Sequence, residues 1–151
     1  MKFYTLATTT AIALASLEFS GTAFAATSQI TITAKNGIST TTIAPSGLNY
    51  AGTVLPFPGN IGANTSQTYT NTGIGTVTSF HLDYTAASGG KKCHFDASSY
   101  ITTAGLPYCT FNKAAQSKGT TYATCTATIT QMAPVNASDP NCSFSVTFNM
   151  Q

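Results

Sequence analysis

His81-x-Asp83 and His94-x-Asp96 are the residues of this chain whose types and spacing can do chemistry. Neighbours two apart on an extended strand point to the same side, so each pair presents an imidazole and a carboxylate to one surface. If residues 86–91 form the turn of a hairpin, Thr85 stands opposite Lys92. That register sets His81 against Asp96 and Asp83 against His94, and it also sets Leu82 against Phe95 and Tyr84 against Cys93. Apolar partners then meet on one face and the four polar ones on the other. A slip of two residues would keep the faces but separate the pairs.

Two imidazoles and two carboxylates are a donor set that zinc or copper accepts. The plainer expectation is a pair of cross-strand His and Asp contacts on a solvated face, each contributing about 0.2–1 kcal/mol. A flat sheet face rarely brings four ligands to within about 2.3 Å of one ion, so His81, Asp83, His94 and Asp96 stand as surface ion pairs first and a metal site second. No cofactor is expected. Catalysis has less to build on: Ser and Thr are too plentiful to single one out, and no Gly-x-Ser-x-Gly elbow restricts the choice. Asp83, Asp96 and Asp139 are the only acidic side chains beyond Glu18, and Asp139-Pro140 is turn chemistry. No catalytic residue is assigned, and an enzyme is not the expectation.

The elements that must hold these side chains are strands. Thr has a branched Cβ that suits a pleated surface and is poor in helices, and here it alternates with apolar residues along the chain. Residues 28–34, 76–85, 122–130 and 142–150 show this period-two pattern clearly; 39–43, 66–72, 93–95 and 108–112 show it more weakly. Residues 114–118 allow one helical turn. The segment 44–60, with three prolines and three glycines, reads as an irregular crossing between sheets or a functional loop. Many short strands separated by Gly, Pro, Asn and Ser predict an all-β single domain, an antiparallel β-sandwich or small barrel.

Cys93, Cys109, Cys125 and Cys142 lie in the second half and fall on the apolar side of their strands, where bridges inside the fold belong. There is no Cys-x-x-Cys pair to suggest a thiolate zinc site, so two disulfides are expected. Three pairings are open; the one closing the shortest loops is Cys93 with Cys109 and Cys125 with Cys142. The oxidising compartment follows from residues 1–25: Lys2, an apolar stretch from Leu6 to Leu17 and the small-x-small site Ala23-Phe24-Ala25 read as a secretory signal peptide. Its removal leaves residues 26–151 as one secreted domain, extracellular or periplasmic, with no membrane span.

A charged fraction of 7% is far below the usual figure of about 25%, so surface polarity comes from Thr, Ser and Asn. After the signal segment, Lys35, Lys91, Lys92, Lys113 and Lys118 face three aspartates, with no Arg or Glu. Only Lys91 and Lys92 are adjacent, which argues against nucleic acid as a partner. A secreted recognition or adhesion module binding a glycan or protein is the leading expectation. Tyr50, Phe57, Tyr69, Tyr100, Tyr108 and Tyr122 are its candidate contact aromatics. Phe57 between Pro56 and Pro58 is the best loop anchor, with Tyr50 beside it. Asn64, Asn136 and Asn141 begin glycosylation acceptor patterns.

The alternative is a self-assembling subunit of a pilus or extracellular filament. The apolar alternation of residues 28–34, directly after the signal segment, resembles chaperone-usher pilins in its placement, as does the final strand; such a strand can insert into a neighbouring subunit. The late cysteines and the ending Asn149-Met150-Gln151 depart from that family, and no family is assigned. The Thr-x-Thr run 124–130 looks like an ice-binding ladder without the repeat that flattens one; a solvated strand face accounts for it.

Overall fold

A computed structural model describes residues 27–102, 108–133 and 141–151. The expected signal segment, Asn136 and the Asp139-Pro140 turn lie outside them. The described residues form nine strands: β1 (Thr27–Asn36), β2 (Ile43–Ala51), β3 (Thr53–Leu55), β4 (Ser66–Ile74), β5 (Val77–Ala86), β6 (Lys92–Thr102), β7 (Tyr108–Ser117), β8 (Cys125–Met132) and β9 (Phe144–Met150). They make a β-sandwich of two sheets, a five-stranded one in the order β3-β4-β1-β9-β8 and a four-stranded one in the order β2-β5-β6-β7.

Among the nine described strands every pairing is antiparallel except that of β1 with β9. β1 lies between β4, antiparallel to it, and β9, parallel to it. Parallel neighbours need a long connection, and here the whole intervening domain supplies it. The start of β1 is tied to the segment that leads into β9: the Ser28 hydroxyl accepts from the Cys142 amide at 3.2 Å, and the Gln29 amide donates to Ser143 Oγ at 2.8 Å.

The alternation seen in the sequence decides which side chains are inside. Ile30, Ile32 and Ala34 of β1 and Phe144, Val146, Phe148 and Met150 of β9 face Phe80, Leu82 and Tyr84 of β5 and Phe95 and Ala97 of β6, all buried. The aromatic rings interleave from the two sheets: Tyr69 is 6.0 Å from Phe80, Phe80 is 6.5 Å from Phe148, and Phe148 stacks on Phe95 at 4.8 Å. Truncating a ring such as Phe148 would cost about 3–5 kcal/mol.

Three expectations are corrected. Segment 44–60 is not one irregular stretch: β2 starts at Ile43, later than the expected strand at 39–43, and fills the first half, while β3 lies beyond it in the other sheet. The segment does cross between sheets, and it turns at Gly52, whose φ of 126° and whose missing Cβ, 2.4 Å from the Thr72 carbonyl oxygen, require glycine. Residues 114–118 are no helical turn, because β7 runs through Ser117 and pairs with β6 along its length. The bridges are Cys93–Cys125 and Cys109–Cys142, not the short-loop pairing.

Hairpin geometry explains that last outcome. In the β6–β7 pair Cys93 stands opposite Ser117, and Cys109 opposite Ile101. Eight residues of strand, about 27 Å at the usual rise per residue, therefore separate the two cysteines of the hairpin. In the β8–β9 pair Cys125 stands opposite Met150, while Cys142 precedes the strand. Each hairpin thus carries its two cysteines at opposite ends, and each bond joins one sheet to the other, clamping the sandwich at both ends. Non-reducing peptide mapping is expected to recover Cys93–Cys125 and Cys109–Cys142 alone. Removing either bond as a Cys→Ala pair should lower unfolding free energy by about 3 kcal/mol; a Cys93–Cys109 peptide would contradict the assignment.

Candidate functional site

The outer face of the four-stranded sheet carries the His and Asp residues, in the register expected from the sequence: His81 opposite Asp96, Asp83 opposite His94 and Thr85 opposite Lys92, with Leu82 facing Phe95 and Tyr84 facing Cys93 on the inner side. All four polar side chains are partly buried, between 21% and 43% exposed. Directly opposite residues on paired strands bring their Cβ atoms to about 5 Å, close enough for these short side chains to touch without distorting the strands.

The contacts form one connected line. The Lys92 ammonium lies 2.7 Å from Asp83 Oδ2. Asp83 Oδ1 accepts from His94 Nδ1 at 2.5 Å. His94 Nε2 lies 3.2 Å from Asp96 Oδ2, and Asp96 Oδ1 pairs with His81 Nδ1. The two imidazole rings run side by side, 6.5 Å apart and 17° from parallel. Among the described residues, one trio, His81, His94 and Asp96, has ligand atoms all within 4.8 Å of one another. The structure therefore brings together all four residues singled out in the sequence, but gives Asp83 a different neighbour set from the other three.

The sequence placed Lys92 opposite Thr85 and beside Lys91 but did not link it to Asp83. Its contact with Asp83 is the diagonal one across the strand pair, a reach that a long side chain makes readily. Burial pushes the Asp83 carboxyl up, but hydrogen bonds and charge from Lys92 and His94 outweigh burial and hold it below the ordinary aspartate value. Asp83 is thus kept ionised as an acceptor.

Gly47 is the other unanticipated member, and no sequence signal marked it, because β2 was not recognised as a strand there. A bulge between Pro45 and Gly47 sets the glycine opposite Asp83, and a Cβ on it would lie 3.2 Å from Asp83 Oδ2. The missing side chain leaves a shallow depression of about 200 Å³ lined by Gly47, Leu48, Asn49, His81, Asp83 and His94. A larger one of about 360 Å³ lies on the other sheet around Asn36, Asn64 and Asn149, with Lys35 its one charged group.

The contact aromatics divide. Tyr69 is buried, not exposed: its hydroxyl bonds that of Tyr84 at 2.6 Å, and Tyr84 donates on to the Gly59 carbonyl at 3.3 Å. Burial pushes both hydroxyls above the ordinary tyrosine value, the bond from Tyr69 partly offsetting it at Tyr84. Tyr50 sits on edge strand β2 opposite Phe80 and is 39% exposed. Phe57 is 62% exposed and Leu55 68%. The segment just after Phe57 is tied down: Pro58 is buried, the Gly59 amide donates to Gln67 Oε1 at 3.1 Å, and Ile61 and Ile43 exchange backbone bonds. Tyr100, Tyr108 and Tyr122 are exposed, the first two on the same sheet face as the histidines, beyond the Ser79 and Ser98 pair.

No protein-family model matches this chain, and no curated protein matches it. Among the described residues no helix is long and apolar enough to cross a membrane.

The lowered Asp83 value fixes a sign. The folded state binds this proton less readily than the unfolded chain, so its contribution is full above the ordinary aspartate value of about 3.9 and is lost as pH falls through the folded value. Asp83→Asn should lower stability near neutral pH by about 1 kcal/mol and flatten the loss of stability below pH about 4. Urea titrations across that range measure both; an unchanged acid slope would show that Asp83 is not held ionised by its neighbours.

Proposed function

We propose that this protein is an extracytoplasmic, non-catalytic recognition or adhesion module that binds a glycan or a protein through the segment around Phe57. One observation carries the reading: two large apolar side chains, Leu55 and Phe57, stand more than 60% exposed on a segment whose next residues are fixed to the core. Ordering a mobile loop costs free energy on binding, and an anchor already held in place avoids much of that cost. Aromatic anchors of this kind dominate interface energetics. The two disulfides suit the oxidising compartment in which such a module works.

The test is binding of labelled mature protein to a glycan array and to intact cells. Phe57→Ala should weaken binding at least tenfold with an unchanged melting temperature, since so exposed a ring contributes little to the core. Equal binding by wild type and Phe57→Ala, or no binding to either surface, would contradict the reading.

A second reading, a self-assembling filament subunit, rests on β1. β1 is the first of the described strands and lies in the middle of its sheet, and neither disulfide touches it, so it can leave without unthreading the rest of the fold. The slot between β4 and β9 that takes Ile30, Ile32 and Ala34 would accept the same strand of a second copy, which is domain swapping. A concentration-independent monomer by light scattering would remove this reading; a ladder of oligomers lost on deleting residues 27–36 would favour it.

A further inference from the structure

The His and Asp line places a carboxylate at each nitrogen of the His94 ring. An ionised Asp83 accepts a hydrogen bond from His94 Nδ1, so a neutral ring there presents its lone pair at Nε2. What lies 3.2 Å from that nitrogen is a carboxylate oxygen, Asp96 Oδ2, also an acceptor. Two acceptors this close call for a positive centre with them, either a second proton on the ring or a metal ion. The line holds two aspartates against one lysine, a balance that attracts a cation.

We propose that His81, His94 and Asp96 bind one divalent transition-metal ion of the zinc class, with Asp83 a positioning residue that fixes the His94 tautomer and is not itself a ligand. In a tetrahedral site with metal–ligand bonds of about 2.0–2.1 Å, adjacent ligand atoms are about 3.3 Å apart; the His94 Nε2 to Asp96 Oδ2 separation is 3.2 Å. A carboxylate on the far nitrogen of a metal-binding imidazole is the usual orienting arrangement, and Lys92 in turn holds that carboxylate. Entry of the ion replaces the His81 to Asp96 hydrogen bond: His81 Nδ1 becomes a donor to the metal and its ring proton moves to Nε2. His81 is the most exposed of the group and has room to shift outward.

Around the three ligands, Gly47 opposite Asp83 and Ala114 opposite Asp96 offer no donor atom, while Asn49 stands opposite His81 and Gln116 opposite His94; water or one of these amides completes the coordination sphere. Two imidazole nitrogens select against calcium and magnesium, which take oxygen ligands. The ligands stand on paired strands, with His94 next in the chain to the bridged Cys93, so the site is held by backbone bonds rather than by a loop. The inference is independent of the Phe57 segment, and its failure would leave that reading untouched.

The experiment is calorimetric titration of mature, disulfide-bonded protein, without affinity-tag histidines and stripped with chelator, using zinc, with cobalt absorption as a second readout. One ion per chain in the micromolar range or tighter is expected, with no heat from calcium or magnesium. His94→Ala and Asp96→Ala should abolish saturable binding and His81→Ala should weaken it at least tenfold. Asp83→Asn should leave the stoichiometry and weaken affinity about 10–100-fold. Metal-free melts of each variant confirm folding, since all four positions lie on the outer face. Absence of saturable zinc binding by the wild type, or binding unchanged in His94→Ala, overturns the site. Unchanged affinity in Asp83→Asn overturns the positioning role.

Discussion

The pairing of β5 with β6 is the constraint on which the rest of the molecule depends. Leu82 meets Phe95 and Tyr84 meets Cys93 inside the sandwich, and because side chains alternate, those two inner pairs dictate the outer ones. A slip of one residue would send His81 and Asp83 into the core and Leu82 and Tyr84 into water. Burying that imidazole and that carboxylate without solvent would cost far more than their contacts with His94 and Asp96 return. The hydrophobic core therefore sets the geometry of the polar face more firmly than any attraction among the polar groups.

The same logic runs outward from that hairpin. Cys93 joins β6 to β8, and Phe95 and Phe80 pack on Phe148 of β9, so the inner side of the hairpin is fastened to the opposite sheet by a bond and by stacked rings. β9 in turn holds β1, and Asn71 of β4 reaches across with its amide to the Ala51 and Ser79 carbonyls. A chain so poor in charge cannot rely on surface ion pairs for rigidity, and such pairs are weak in any case. Its rigidity comes from the interdigitated core and from cross-links at both ends. The result is a stiff platform on which a few charged residues keep fixed distances.

Much of this was legible in the sequence, for a physical reason. Alternation of Thr with apolar residues is a direct record of one wet and one dry face, so β1, β5, β8 and β9 and the outward placement of His81, Asp83, His94 and Asp96 could be read from it. β2 was missed because Pro45 and Gly47 look like turn residues; a bulge and an edge position let a strand keep them. The disulfide pairing was missed because shortest-loop reasoning ignores strand length: cysteines about sixteen residues apart across a hairpin sit at its two ends, not side by side. Tyr69 looked like a surface aromatic because nothing local shows that Tyr84, on another sheet, waits for its hydroxyl. Likewise the separate part played by Asp83 depends on Lys92 and Gly47, which reach it from a diagonal and from an unrecognised strand.

The metal site depends on which nitrogen of His94 carries the proton. A long-range proton–nitrogen correlation spectrum of the metal-free protein, recorded near pH 8.5, where an ordinary imidazole is largely neutral, reports it directly. Protonation at Nδ1, with the Nε2 resonance moving when zinc is added, is the predicted result. A His94 ring protonated at Nε2 would contradict the account, because that nitrogen would then be donating to Asp96 and Asp83 would not be setting its direction.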